Sequence, residues 1–140
     1  MLYTKFLKLK RPCPFCGVGD RIFASRKTAC LTYALAPYAK YHLLVIPKRH
    51  ITSLRELRPA EEKDIGELVK LGVGILNRLK IKSVTVLARD GGRNKSIAHL
   101  HYHLIPNHRI GDLDSKGKPR RILSEQEVKK LAQKIRKVYP

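Results

Sequence analysis

Negative charge is what this chain has least of. Only 11 Asp and Glu stand against 30 Lys and Arg in 140 residues, giving a formal charge of +19 and a pI near 10.3. A field of that size draws anions to the surface and speeds their encounter. It suits nucleotides, nucleic acid or other phosphorylated partners, and equally a solvated basic surface. Long apolar runs are missing too: none approaches the roughly 20 residues needed to span a bilayer. The opening MLYTKFLKLKRPCPF has neither the unbroken apolar stretch nor the small-residue cleavage site of a signal peptide. The expectation is a soluble, cytoplasmic protein with no membrane partner. Cysteine occurs three times, as Cys13, Cys16 and Cys30, so the thiols cannot all pair within the chain. A CxxC in an intracellular setting favours a metal or redox role over a structural disulfide, and Cys30 reads as a small core residue. Internal repeats and low-complexity linkers are also absent, and the length suits one compact domain spanning 1–140.

What is present is enough apolar residue, 43% of the chain, to build a core. After a basic N-terminal tail, Pro, Gly and Asp punctuate a turn at CPFCGVGD. RIFAS (21–25), CLTYALA (30–36) and HLLVIP (42–47) read as short strands joined closely enough to favour an antiparallel meander. Pro59 suits a first helical position, Glu61, Glu62 and Asp64 its positive end, and Ile65, Leu68, Leu71 or Gly72, Leu76 and Leu79 its apolar face. Gly66, Gly72 and Gly74 each weaken that helix by up to about 1 kcal/mol against Ala, so close packing against a sheet or a second subunit is expected to compensate. SVTVLA (83–88) and AHLHYHLIP (98–106) are the fourth and fifth strands, with the loop RDGGRNKS (89–96) between them. Ser124 and Glu127 form a capping box for a final helix, with Val128, Leu131, Ala132, Ile135 and Val138 on its apolar face and a lysine-rich solvated face opposite. The fold class is α+β: an antiparallel sheet of about five strands, a long helix after the third and a C-terminal helix. Residues 107–140 form a basic C-terminal extension.

The chemistry concentrates in AHLHYHLIPNH, which holds four of the six histidines. On a strand, alternate side chains share a face, so His99, His101 and His103 point one way while Leu100, Tyr102 and Leu104 enter a core. Three imidazoles in a row are costly to bury without partners. Besides an exposed polar face, two chemical readings stand: ligands of one catalytic metal, or a nucleophilic imidazole kept in the right tautomer by its neighbours. An imidazole attacking phosphorus needs donors around the phosphate oxygens. Ser96, Lys95, the backbone amides of 91–94 and His103 lie close enough along the chain to supply them.

His99-Leu100-His101-Tyr102-His103-Leu104-Ile105 resembles the signature of the histidine triad superfamily, His-φ-His-φ-His-φ-φ with φ apolar. HLLVIPKRH (42–50) looks like that family's other hallmark, a His-led apolar run ending in Pro-Lys-x-His. The resemblance covers roughly residues 12–107 and implies a nucleotidyl hydrolase or transferase, usually homodimeric, on an antiparallel sheet with helices. It implies that His101 attacks the α-phosphorus to form a covalent nucleotidyl-histidine, that His103 contacts the phosphate or leaving group, and that Ser96 contacts phosphate. It also implies a structural zinc held by Cys13, Cys16, His50 and His99, a closed tetrahedral set with no open position for substrate. His42 takes a family position beside the site; His108 reads as a surface or turn residue. Three departures bear on substrate. Ala34 stands where members often carry an acidic or amide residue for the ribose hydroxyls. Lys95 replaces an amide before the triad, adding charge for a polyphosphate, and Asn107 replaces an Arg after Pro106.

Dinucleoside polyphosphates, nucleoside phosphoramidates and sugar nucleotides are the substrates so implied. The basic excess keeps open a hydrolase of nucleotide-capped or adenylated nucleic-acid ends. Ala34 keeps open a zinc-stabilised nucleotide- or RNA-binding module without turnover.

Overall fold

The structure, a computed structural model, describes residues 1–91, 96–107 and 120–139. Five strands form one sheet: β1 (Ile22–Ser25), β2 (Ala29–Tyr33), β3 (Leu43–Pro47), β4 (Val84–Ala88) and β5 (Tyr102–Pro106). Their order is β1-β2-β3-β5-β4 and every pairing is antiparallel. The first three strands make the expected meander. The chain then crosses through helix α2 (Pro59–Arg78) to the far edge, and β5 returns between β3 and β4.

Both faces of the central strands are covered, so β2 and β3 are buried along their whole lengths. The period-two alternation of a strand divides them between two cores. Leu31, Leu43, Val45 and Leu104 pack under α2 with Ile65, Leu68, Ile75 and Leu76. Cys30, Leu44 and Ile46 face the other way, against Phe15, Val18 and Ile97. Helix α3 (Glu125–Val138) starts at Ser124, whose hydroxyl accepts from the Glu127 amide while the Glu127 carboxylate accepts from the Ser124 amide. Its Ile135 is fully buried in the α2-side core.

Two expectations need correction. The N-terminal tail contains a helix, α1 (Tyr3–Lys8), anchored because Tyr3 is buried and its amide donates to the Arg120 carbonyl. The fifth strand begins at Tyr102 rather than 98. Upstream of it the ladder gives way to other bonds: the Leu100 amide donates to the Ile51 carbonyl at 2.7 Å, and the carbonyls of Pro47 and His99 are taken by imidazoles. Of the three helical glycines, only Gly72 shows the close approach expected: a Cβ there would collide with the Leu104 side chain, whereas Gly66 and Gly74 face open space.

Candidate active site and metal centre

The sheet face opposite α2 carries the histidines. Leu44 on β3 sits beside His103 on β5, and all three triad histidines are buried, with His99 0%, His101 7% and His103 7% exposed. An exposed polar face is thereby excluded. The face is closed by the CPFC turn and α1. Phe15 packs against His101 with ring centroids 4.9 Å apart and edge-on to His99 at 6.2 Å.

Hydrogen bonds assign the tautomers, because a backbone carbonyl can only accept and a backbone amide can only donate. His101 Nδ1 lies 2.8 Å from the His99 carbonyl, so Nδ1 carries the proton and Nε2 the lone pair. The Tyr38 amide donates to His42 Nδ1 at 3.1 Å, which places the neutral ring's proton on Nε2. His42 Nε2 then donates to His103 Nδ1 at 2.9 Å, leaving His103 with its proton on Nε2. Adjacent members of the row therefore hold opposite tautomers: His101 offers a lone pair where His103 offers a proton. His103 is also kept neutral. Burial, then the charges of His42, His101, Arg89 and Arg120, push it down from 6.5 to about 2.

His101 and His103 line a cavity of about 540 Å³, within the range of roughly 300–1,000 Å³ usual for small-molecule sites. Ser96 lines it too, with its hydroxyl 2.7 Å from that of Tyr3. Ala34 is buried in its wall, so no side-chain hydrogen bond comes from that position. Lys95 and His108 lie outside the described residues. Among the further lining residues that escaped the sequence reading are Tyr3, Phe15, Tyr38, Arg89 and Arg120. Phe15 had a readable signal, a large apolar residue inside a CxxC turn; Tyr3 and Arg120 meet the site only through the tertiary fold.

On the flank of this cavity, Cys13, Cys16, His50 and His99 bring one donor atom each to within 4.8 Å of one another. His99 Nδ1 is 3.6 Å from Cys13 Sγ and 3.4 Å from Cys16 Sγ, and His50 Nδ1 is 3.0 Å from Cys16 Sγ. Edges of about 3.5 Å are what Zn–S and Zn–N bonds of about 2.3 and 2.05 Å give in a tetrahedron. His99 Nε2 donates to the Pro47 carbonyl at 2.8 Å, which leaves Nδ1 as the lone-pair nitrogen facing the thiols. The donor set fits a tetrahedral S2N2 metal. Arg49, which precedes His50 in the chain, has its guanidinium on the buried Glu61 carboxylate at 2.8 and 3.2 Å. Cys30 is buried in the core, and burial pushes its thiol pKa up.

Known proteins match this chain in both sequence and fold. The HIT domain model covers residues 18–110, more than half of the chain, and the chain belongs to the histidine triad superfamily. It is 30% identical over 129 residues to adenosine 5'-monophosphoramidase hnt1 of Schizosaccharomyces pombe, covering 88% of this chain and 95% of that one. To the asymmetrical bis(5'-nucleosyl)-tetraphosphatase of the same yeast it is 28% identical, across 64% of this chain and 50% of that protein's length. Among solved structures, a hypothetical histidine triad nucleotide-binding protein from Sulfolobus tokodaii superposes with TM-score 0.73 at 25% identity, covering 91% of both chains. A Zn-bound histidine triad family protein from Mycobacterium smegmatis shares the fold with TM-score 0.66 at 21% identity, over 90% of this chain and 94% of that one. Among the described residues no helix is long and apolar enough to cross a membrane.

Proposed function

We propose that this chain is a single-domain nucleotidyl hydrolase or transferase that cleaves a nucleoside phosphate linkage through His101. The observation that carries the reading is the pair of opposite tautomers on one cavity wall, a lone pair on His101 Nε2 and a proton on His103 Nε2. In the first step His101 Nε2 bonds to the α-phosphorus as the bond to the leaving group breaks, and the leaving group departs with that electron pair. His103 Nε2–H donates a hydrogen bond to a phosphate oxygen or the leaving atom, stabilising charge that develops there. Ser96 and Lys95 add phosphate contacts. In the second step water attacks phosphorus, the P–N pair returns to His101 and the water proton passes to solvent; another acceptor in place of water makes the reaction a transfer. Similarity to a phosphoramidase and to a dinucleoside tetraphosphatase supports P–N and P–O–P substrates.

The S2N2 cluster of Cys13, Cys16, His50 and His99 is read as a structural zinc site. These four residues would fill every position of a tetrahedral ion, which would then brace the scaffold and offer no place to substrate. A homodimer is part of the same reading: β4 is an edge strand with Val86 45% exposed, and light scattering tests it.

The test is intact-mass spectrometry under acid-free conditions after brief mixing with a panel of nucleoside phosphoramidates, dinucleoside polyphosphates and sugar nucleotides. A nucleotidyl adduct on the wild type that disappears in His101→Ala supports the reading. Binding without adduct or turnover across the panel replaces it with a non-catalytic module. Activity abolished reversibly by chelators, with metal retained in Cys13→Ser, replaces it with a catalytic metal on the triad.

One observation favours a nucleic-acid end as substrate. A cleft of about 460 Å³ between α3 and the β2–β3 loop carries Lys40, Lys130, Lys134 and Lys137 beside Glu127 and the apolar Tyr41, Leu123 and Leu131, and shares His42 with the catalytic cavity. On this second reading a DNA or RNA body raises turnover and the gain fades with added salt; a small-molecule enzyme gains little from it.

A further inference from the structure

The cavity contains a cation that the triad chemistry does not use. Arg120, just ahead of α3 and outside the residues matched by the HIT model, lies with its guanidinium 4.1 Å from the Tyr38 ring centroid and 4.4 Å from that of Tyr3. Its Nη1 donates to the Ala36 carbonyl at 2.9 Å. Three segments distant in sequence therefore fix one guanidinium: the N-terminal helix, the β2–β3 loop and the chain entering α3. Stacking on two rings is worth about 0.5–1 kcal/mol or more per face and restrains the orientation of the guanidinium plane. A restrained fork loses little entropy on meeting a phosphate bidentately.

Charge in the cavity points to what that fork meets. Arg120 and Arg89 both line it, and no carboxylate among the described residues does. Both also act on His103, helping to hold it neutral. Two guanidinium groups with no carboxylate among the described lining residues repel one another in a partly enclosed space, a cost relieved by a ligand bringing more than one negative charge. The phosphorus attacked by His101 brings one phosphate. Ala34, in the same wall, leaves the adjoining stretch of loop without a carboxylate to oppose a second.

We propose that Arg120, clamped between Tyr3 and Tyr38, forms a second phosphate subsite of this cavity, reading a phosphate other than the one attacked. The inference rests on the catalytic reading above for which phosphate is attacked, while the subsite itself is testable by binding alone. The second phosphate comes either from a phosphorylated ribose or from a polyphosphate leaving group.

The experiment is calorimetric titration of the full chain with adenosine 5'-monophosphate, adenosine 2',5'- and 3',5'-bisphosphates and adenosine 5'-triphosphate at one salt concentration. At least one multiply phosphorylated ligand is expected to bind about tenfold tighter than the monophosphate, the effect of one charge-assisted contact pair. In Arg120→Gln that margin falls below about threefold, the multiply phosphorylated ligands losing more affinity than the monophosphate. A bisphosphate in the lead identifies the ribose side, the triphosphate the leaving-group side. Absence of any margin in the wild type overturns the proposal, as does an equal weakening of all four ligands in Arg120→Gln. Tyr38→Leu removes one face of the clamp and no charge; it is expected to shrink the same margin, and an unchanged margin also overturns the proposal should Arg120→Gln fail to fold. Because no turnover is read, loss of the catalytic reading in His101→Ala and loss of the subsite are separate results.

Discussion

Phe15, inside the CPFC turn, lies with its ring 4.9 Å from that of His101. The cysteine pair that would hold the metal thus carries, on the same turn, a side chain that walls the candidate nucleophile. On the proposed reading this contact would couple metal binding to activity without the ion touching substrate.

The first prediction separates the two roles. Wild type and Phe15→Ala are expected to hold one zinc per chain by elemental analysis, and Cys16→Ser none. Removing a buried Phe side chain costs about 3 kcal/mol, and Phe15→Ala loses kcat by loosening His101. Cys16→Ser shifts the thermal midpoint down while residual turnover survives. Loss of all turnover on zinc removal, with the fold intact, contradicts the bracing role.

A second prediction concerns pH. His103 faces His42, His101, Arg89 and Arg120, and is held neutral in the fold down to about pH 2. The unfolded chain protonates this residue as pH falls through about 6.5. Between those limits the unfolded state binds the extra proton. The stability contribution is therefore complete above about pH 6.5 and is lost as pH falls below it, by up to about 1.4 kcal/mol per unit. Urea unfolding at pH 7.5 and 5.5 is expected to show the wild type losing about 1 kcal/mol more than His103→Gln. Equal losses in the two proteins contradict a neutral His103. Metal release at low pH enters both and cancels in the difference.

Much of the fold was legible because its signals are local. Pro59 and the acidic first turn mark α2, Ser124 and Glu127 mark α3, and short runs of apolar, β-branched and aromatic residues mark β2 and β3. The metal set followed from resemblance, and the structure brings those four residues together. What escaped is what depends on tertiary closure. Helix α1 is one and a half turns long, too short to announce itself by periodicity, and Tyr3 is fixed by Ser96 and Arg120 far along the chain. The start of β5 was misplaced because His99 and His101 sit in extended chain held by side-chain and loop bonds that alternation cannot distinguish from a ladder.

A third prediction follows from the placement of His50. Glu61 is 3% exposed and takes two Arg49 hydrogen bonds and one from the Arg58 amide. The Arg49 bonds, with the lesser help of Arg58, hold its pKa below the usual range. Arg49 is partly solvated, which screens the pair. Glu61→Gln is expected to destabilise by about 1–2 kcal/mol and to weaken zinc retention against a competing chelator, since Arg49 adjoins His50. Unaltered zinc retention contradicts the positioning role.

The last prediction sets two glycines of α2 against each other. Glycine inside a helix is worse than alanine by about 0.5–1 kcal/mol, so on propensity alone both Gly72→Ala and Gly74→Ala stabilise. Gly74 has nothing near its missing Cβ, and its substitution is expected to raise stability by that amount. At Gly72 the new methyl collides with the Leu104 side chain and stands 3.3 Å from Leu31 Cδ1, both fully buried. Leu104 follows His103 on β5, so its displacement is expected to reach the strand that carries His103. Overpacking of this kind costs about 1–3 kcal/mol, which exceeds the propensity gain. Denaturant midpoints are therefore expected to move in opposite directions, with turnover reduced in Gly72→Ala alone. A shared upward shift would show that α2 can slide off the sheet to admit the methyl, and that the spacing between helix and triad strand is not fixed at this glycine.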